Sequence, residues 1–156
     1  MIEGMHYIED DYVSFEIAKL LKEKGFNEIC YGWYTNITKP VFHFARNPFN
    51  DYHFNSCSNI AMALDPRKEK FSAPTLQFAM KWLREVHDLH IMVNCIGKVN
   101  YDPIVQRFDG KDFEIEGVEV GTTRRINGKW ENVRRGFKTY EEACEAAIKY
   151  CLETLI

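Results

Sequence analysis

TTRRINGKWENVRRGFKTYEE, residues 122–142, holds the two signals that decide the fold class. Asn127-Gly128 lies between the runs Thr122–Ile126 and Lys129–Val133. Such a dipeptide tolerates the positive φ angles of a type I′ turn, so the two runs read as hairpin arms. Thr139-Tyr140-Glu141-Glu142 then forms a capping box, in which the Thr139 hydroxyl accepts from the amide of Glu142 and the Glu142 carboxylate reaches back. Glu141, Glu142 and Glu145 also complement the positive end of the helix dipole. Ala143, Ala146, Ala147, Ile148, Tyr150, Cys151 and Leu155 sweep a wide apolar arc, with Glu145, Lys149 and Glu153 outside it. An antiparallel hairpin followed by a helix whose inner face is made of small residues predicts an α+β domain.

Upstream, the same logic finds two further helices. Ser14 caps the first; Ile17, Ala18, Leu20 and Leu21 share one arc, and Gly25 with Phe26 matches a left-handed C-terminal closure folding back onto Leu21. For the second, Ser72 is the expected N-cap, Pro74 sits in the first turn, and the body runs Thr75 to His87. Its apolar stripe is Leu76, Ala79, Met80, Leu83 and Val86, widened by Phe78 and Trp82.

Ile29–Tyr34 and Val41–Ala45 read as an antiparallel pair, and Leu89–Ile96 with Tyr101–Phe108 as another, Pro103 placing the latter near an edge. Asp109-Gly110 is a second hairpin signal, and the broken alternation of Phe113–Val120 predicts a kink near Gly117. Residues 46–71 show no clear pattern. The expected order is α-β-β-(irregular)-α-β-β-β-β-α, a mostly antiparallel sheet packed against two or three helices. The 156 residues, 46% hydrophobic, fit one domain spanning 1–156 with a sizeable core.

Composition narrows the function. The net charge of -3 mixes both signs, which argues against a protein dominated by attraction to nucleic acid or anionic membranes. The acidic start MIEGMHYIEDD has no signal-peptide pattern, no long apolar run suggests a membrane span, and five irregularly spaced cysteines suggest reduced thiols, so a cytoplasmic location is expected. No phosphate-binding glycine loop, dinucleotide fingerprint, zinc-protease or nucleophile-elbow motif is present, and neither a cofactor nor a metal is expected.

Four candidate sites remain. Arg124, Arg125, Lys129, Arg134, Arg135 and Lys138, facing only Glu131 within the strip and interleaved with Trp130, suit phosphate contacts from a β-ribbon. The acids between Asp109 and Glu119 offer the plainer reading, cross-strand neutralisation. The ring-rich first half, with Trp33, Tyr34, Phe49 and Tyr52, suits a protein partner or self-association, because aromatics are enriched at interfaces. His87 and His90, with His43, His53 and Cys57, have ligand chemistry without a zinc spacing. Cys57, four residues after His53 in a polar run, is the one candidate nucleophile, since Cys144 and Cys151 fall on an apolar helix face and Cys30 and Cys95 in strand-like runs.

Ser72-Ala73-Pro74-Thr75-Leu76-Gln77 running into Met80-Lys81-Trp82-Leu83-Arg84-Glu85, together with Tyr140–Leu152, resembles a family of small uncharacterised proteins of gut Bacteroides-type bacteria, often found with prophage or other mobile-element genes. The opening helix, Phe15–Phe26, is similar to that family as well. The resemblance implies a cytoplasmic accessory protein and supplies no catalytic residue, cofactor or substrate. Phe137–Ala143 after a Trp-bearing hairpin also resembles the three-strand-plus-helix DNA-binding modules of AP2-like and integrase arm-binding domains. The expected function is a non-enzymatic accessory or protein-interaction protein of a prophage or mobile element. The alternative is a nucleic-acid-binding module using the basic hairpin 122–138, and the third reading an enzyme using residues 46–71.

Overall fold

The structure is a computed structural model that describes residues 11–36, 39–44, 55, 69–95, 100–107, 109–114, 118–119, 123–126, 129–132 and 135–156; for 36, 114, 118–119, 123–126, 129–132 and 135 it describes the backbone alone. Helices and antiparallel sheets alternate along the chain in an α+β arrangement. It divides into two compact units, Met1–Trp82 with Ile156, and Leu83–Leu155.

The first unit opens with α1 (Phe15–Glu23), whose Ser14 hydroxyl accepts from the amide of Ile17 at 3.4 Å. Its C-terminus closes as the sequence predicts. The Gly25 amide donates to Lys22 O at 3.1 Å and the Phe26 amide to Leu21 O at 2.9 Å, a Schellman closure that requires the positive φ of 88° at Gly25. The closure delivers Phe26 into the interior, where its ring meets Phe78 and Trp82 edge-on at 5.9 and 5.4 Å.

Strands β1 (Gly32–Asn36), β2 (Pro40–Phe44) and β3 (Lys70–Ala73) form an antiparallel sheet in the order β2-β1-β3. The third strand corrects the sequence reading. Ser72 is not a helix cap: it is fully buried within β3, opposite Trp33. Pairing with β1 takes Lys70–Ala73 into the sheet, and Thr75 caps the next helix, α2 (Leu76–His87), accepting from the amide of Phe78 at 3.2 Å. Pro74 precedes the helix, and its carbonyl accepts from Val13 N at 3.0 Å. Leu76, Ala79, Trp82 and Leu83 of α2 are buried, whereas Val86, expected in the stripe, is 56% exposed.

Within residues 46–71, Asn55 plays the part of a missing strand. Its side-chain amide donates to Phe26 O at 2.7 Å, and its Oδ1 accepts from Ser72 N at 2.8 Å. One side chain thus satisfies the chain leaving α1 and the outer edge of β3, both backbone groups that would otherwise be left wanting.

The second unit is built on β4 (Leu89–Cys95), β5 (Tyr101–Arg107) and β6 (Asp112–Glu114), antiparallel in that order. Asp88, with φ of 56°, makes the left-handed step from α2 into β4, a conformation that Asp tolerates better than most residues. The Asp109-Gly110 turn joins β5 to β6 as expected, with Gly110 N donating to Arg107 O and Asp109 Oδ1 accepting from Lys111 N. Pro103 lies in the central strand, contrary to the edge position predicted. Tyr101 exchanges both backbone bonds with Phe137, and Arg107 N donates to Lys111 O, all on the side away from β4. Pro103 has the same parity, so its N–H-less nitrogen faces that side too, outside the Ile104–Gln106 stretch that β6 pairs, and no β4 bond is lost.

Four shorter strands follow. They are β7 (Val118–Glu119), β8 (Thr123–Ile126), β9 (Lys129–Asn132) and β10 (Arg135–Gly136), with β8 paired to β9 and β7 to β10. The expected kink at Gly117 lies outside the described residues; the segments on either side of it belong to different sheets.

Helix α3 (Tyr140–Tyr150), continued by a π-helical turn at Cys151–Leu155, packs on β4 and β5. Thr139 Oγ1 accepts from Glu142 N at 3.1 Å, while the Glu142 carboxylate accepts from Lys138 N, one residue before the predicted reciprocal partner. Ala143, Cys144, Ala147, Ile148, Cys151 and Leu152 are fully buried.

The Asn55 bridge yields a prediction. Asn55→Ala leaves two backbone groups without their partner and is expected to lower stability by about 1–3 kcal/mol. Urea unfolding followed by tryptophan fluorescence measures it; a change within a few tenths of a kcal/mol contradicts the bridging role.

Candidate interaction surfaces

Alternation along β1 sends its neighbouring rings to opposite sides of the sheet. Register places Tyr34 with Phe42, Phe44 and Phe71 on one face. There Phe15 of α1 meets Tyr34 and Phe71 edge-on at 5.6 and 5.2 Å, and Tyr12 lies 5.1 Å from Phe42. The Tyr34 hydroxyl donates to Val13 O at 3.1 Å. Tyr34 therefore ties the sheet to the start of α1. Gly32 makes this face possible, because a Cβ there would lie 2.6 Å from Ala73 O and 2.9 Å from the Tyr12 ring.

The opposite face carries Trp33, Thr35, Val41, His43 and Lys70, and at its β3 end Ser72, which is fully buried. Trp33 and His43 stack nearly parallel, 18° apart with centroids at 5.3 Å, and His43 Nε2 lies 2.9 Å from Thr35 Oγ1. Lys70 Nζ sits 5.8 Å from the centre of the Trp33 ring. Val41, on the β2 edge, is 51% exposed, and Ile29 and Tyr31, just before β1, are 39% exposed each. Trp33 thus belongs to the outer group and Tyr34 to the inner one. Phe49 and Tyr52, the other two predicted interaction residues, lie outside the described residues, as do His53 and Cys57.

In the basic strip, Arg124 faces Glu131 in register, Arg125 faces Trp130, Ile126 faces Lys129, and Arg135 faces Glu119. Two of the arginines therefore occupy positions directly across from acids, one of them within the 109–119 run. Arg134 lies outside the described residues. No helix among the described residues is long and apolar enough to cross a membrane.

Metal and thiol chemistry find little support among the described residues. No group of three or more His, Cys, Asp or Glu side chains there is placed to hold a metal ion. Burial lowers the pKa of His87, so desolvation outweighs the favourable helix C-terminus. Burial pushes the Cys30 and Cys144 thiols up to about 11 and Cys151 up to about 12, which keeps all three protonated near neutrality. Cys95 is the exposed cysteine among those described. No protein-family model, curated protein or solved structure matches the chain.

The thiols give a prediction in two parts. In the native protein, Cys95 reacts with iodoacetamide well before Cys30, Cys144 and Cys151, as read by peptide mass spectrometry. Because the three buried thiols titrate higher when folded than unfolded, their contribution is complete below about 9 and fades as pH climbs toward about 11–12. Replacing Cys151 with Ala is expected to flatten that alkaline loss, measured as the unfolding midpoint against pH.

Proposed function

We propose that this chain is a non-enzymatic protein-interaction protein, an accessory of a prophage or mobile element, which binds a partner protein through the outer face of the β2-β1-β3 sheet. One observation carries the reading. Of the five large hydrophobic residues that stand exposed among those described, three (Ile29, Tyr31 and Val41) cluster within thirteen positions of sequence around Trp33. Exposed apolar residues near in sequence to a flat Trp33–His43 stack suit an interface, where aromatics concentrate, although the Tyr31 ring itself leans toward Phe44 at 6.4 Å. Strand β2 is the outer strand of its sheet among the described residues, and Pro40 with the preceding Lys39 guards its start against indiscriminate strand pairing. The genomic setting comes from the family resemblance of the helices.

A second reading rests on the β8–β9 ribbon, in which Arg125 faces Trp130. A two-stranded ribbon fits a major groove, and guanidinium and indole groups suit phosphate and base contacts. Fluorescence anisotropy with generic DNA and RNA at low salt separates it from the first reading. Binding that falls steeply with salt and is lost in an Arg125→Ala, Lys129→Ala double variant supports the ribbon.

The leading reading predicts that affinity-tagged protein retains a stoichiometric partner, or a second copy of itself, from cells carrying the neighbouring mobile-element genes. Val41→Glu and Trp33→Ala are each expected to weaken that association about tenfold or more. The exposed-helix control Lys81→Ala leaves it unchanged. A chain that stays monomeric by light scattering and retains no partner overturns the reading.

A further inference from the structure

Strand β4 is an outer strand of its sheet. Among the described residues β5 is its one strand neighbour, and no backbone-to-backbone bond outside the β4–β5 ladder involves Leu89–Cys95. The parity of β5 decides which groups the free edge presents. Tyr101 and Arg107 turn their backbone groups away from β4, so Asp102, Ile104 and Gln106 turn theirs toward it. Register therefore joins the backbone groups of His90, Met92 and Asn94 to β5 and leaves those of Leu89, Ile91 and Val93 pointing outward.

A row of outward N–H and C=O groups is a template for another strand, and proteins that must stay apart guard such edges with charge, proline, a bulge or a short strand. The other outer strands of the two three-stranded sheets carry such protection. Lys39 and Pro40 stand at the start of β2, Asn55 takes the Ser72 amide of β3, and β6 is three residues long with Asp112 and Glu114. Strand β4, LHIMVNC, has no Asp, Glu, Lys, Arg or Pro, and its register with β5 runs unbroken over seven pairs. Leu89 and Ile91 are buried on the α3 side, while His90, Met92 and Asn94 are exposed on the other. At the middle of this unguarded strand stands a large hydrophobe, Met92, 36% exposed.

We propose that two copies of this chain join through antiparallel pairing of β4 with β4, which extends their two sheets into one. A twofold axis through Met92, perpendicular to the sheet, sets Ile91 opposite the other copy's Val93 and Leu89 opposite its Cys95. The outward backbone groups of the two strands then meet in the alternation that an antiparallel ladder needs. Side-chain parity agrees, because Ile91 and Val93 keep to the α3 side in both copies. On the other side His90 meets Asn94, and Met92 meets itself. A charge on the axis would face its own copy, and there the chain has the exposed Met92. The proposal is independent of the sheet face assigned above to a protein partner.

Sedimentation velocity of the full chain over a dilution series tests it. The expected result is a reversible dimer whose dissociation constant rises about tenfold or more in Met92→Lys, which sets like charges face to face at an exposed position. Mixing Met92→Lys with Met92→Glu is expected to restore association as a heterodimer. Cross-linking in a Cys95→Ser background reads the register. A Met92→Cys pair lies about 4.5 Å apart, Cα to Cα, within disulfide reach, and is expected to close under mild oxidation; His90→Cys, opposite Asn94, is not. If Met92→Lys lowers the melting temperature, the cross-linking pattern decides the matter, and His90→Cys closing as readily as Met92→Cys overturns the proposal. The mass of one chain at every concentration overturns it as well, as does a dimer that Met92→Lys leaves intact; if Val41→Glu breaks that dimer, the interface is the outer face of the first sheet.

Discussion

A sheet of three short strands holds together in water only when one of its faces is covered. That constraint governs both halves of this chain, and each half meets it with a single helix. In the first, α1 lays Phe15 across Tyr34 and Phe71, and the cover is aromatic. In the second, α3 presents alanines and cysteines to β4 and β5, so helix and sheet approach closely and the cover is made of small side chains. Away from α1, the other face of the first sheet carries mixed residues, among them Trp33, Thr35, His43 and Lys70. The candidate interaction surface of the first unit is the sheet face opposite α1, where Trp33 and His43 are half-buried.

Helix ends and tight turns were the legible parts of the sequence, because their determinants are local. Ser14, Gly25 with Phe26, Asp109-Gly110 and Thr139 each act within a few residues of themselves, and each does in the structure what its spacing implies. The failures share a cause as well. Ser72 has the chemistry of a cap, yet pairing with Trp33, distant in sequence, makes it a strand residue. Pro103 has the chemistry of an edge residue, yet the short reach of β6 allows it a central strand. Asn55 replaces strand contacts with side-chain contacts, and no periodicity can announce that.

The surfaces were legible only by composition. Sequence places Trp33 and Tyr34 together as interaction residues, and strand alternation separates them, one toward the core and the other toward the outer face. The charge run before α3 was visible, but the pairing of Arg135 with Glu119 and of Arg124 with Glu131 depends on register.

The Trp33–His43 stack has an optical consequence. The half-buried Trp33 indole, stacked 5.3 Å from the His43 ring, changes its emission when the water beside it is displaced. Of the three tryptophans in the chain, Trp82 is buried against Phe26 and Trp130 belongs to the β9 ribbon, so Trp33 carries a signal specific to the outer sheet face. The protein thus contains a built-in fluorophore whose emission reports the solvent contact of the surface on which a partner would settle.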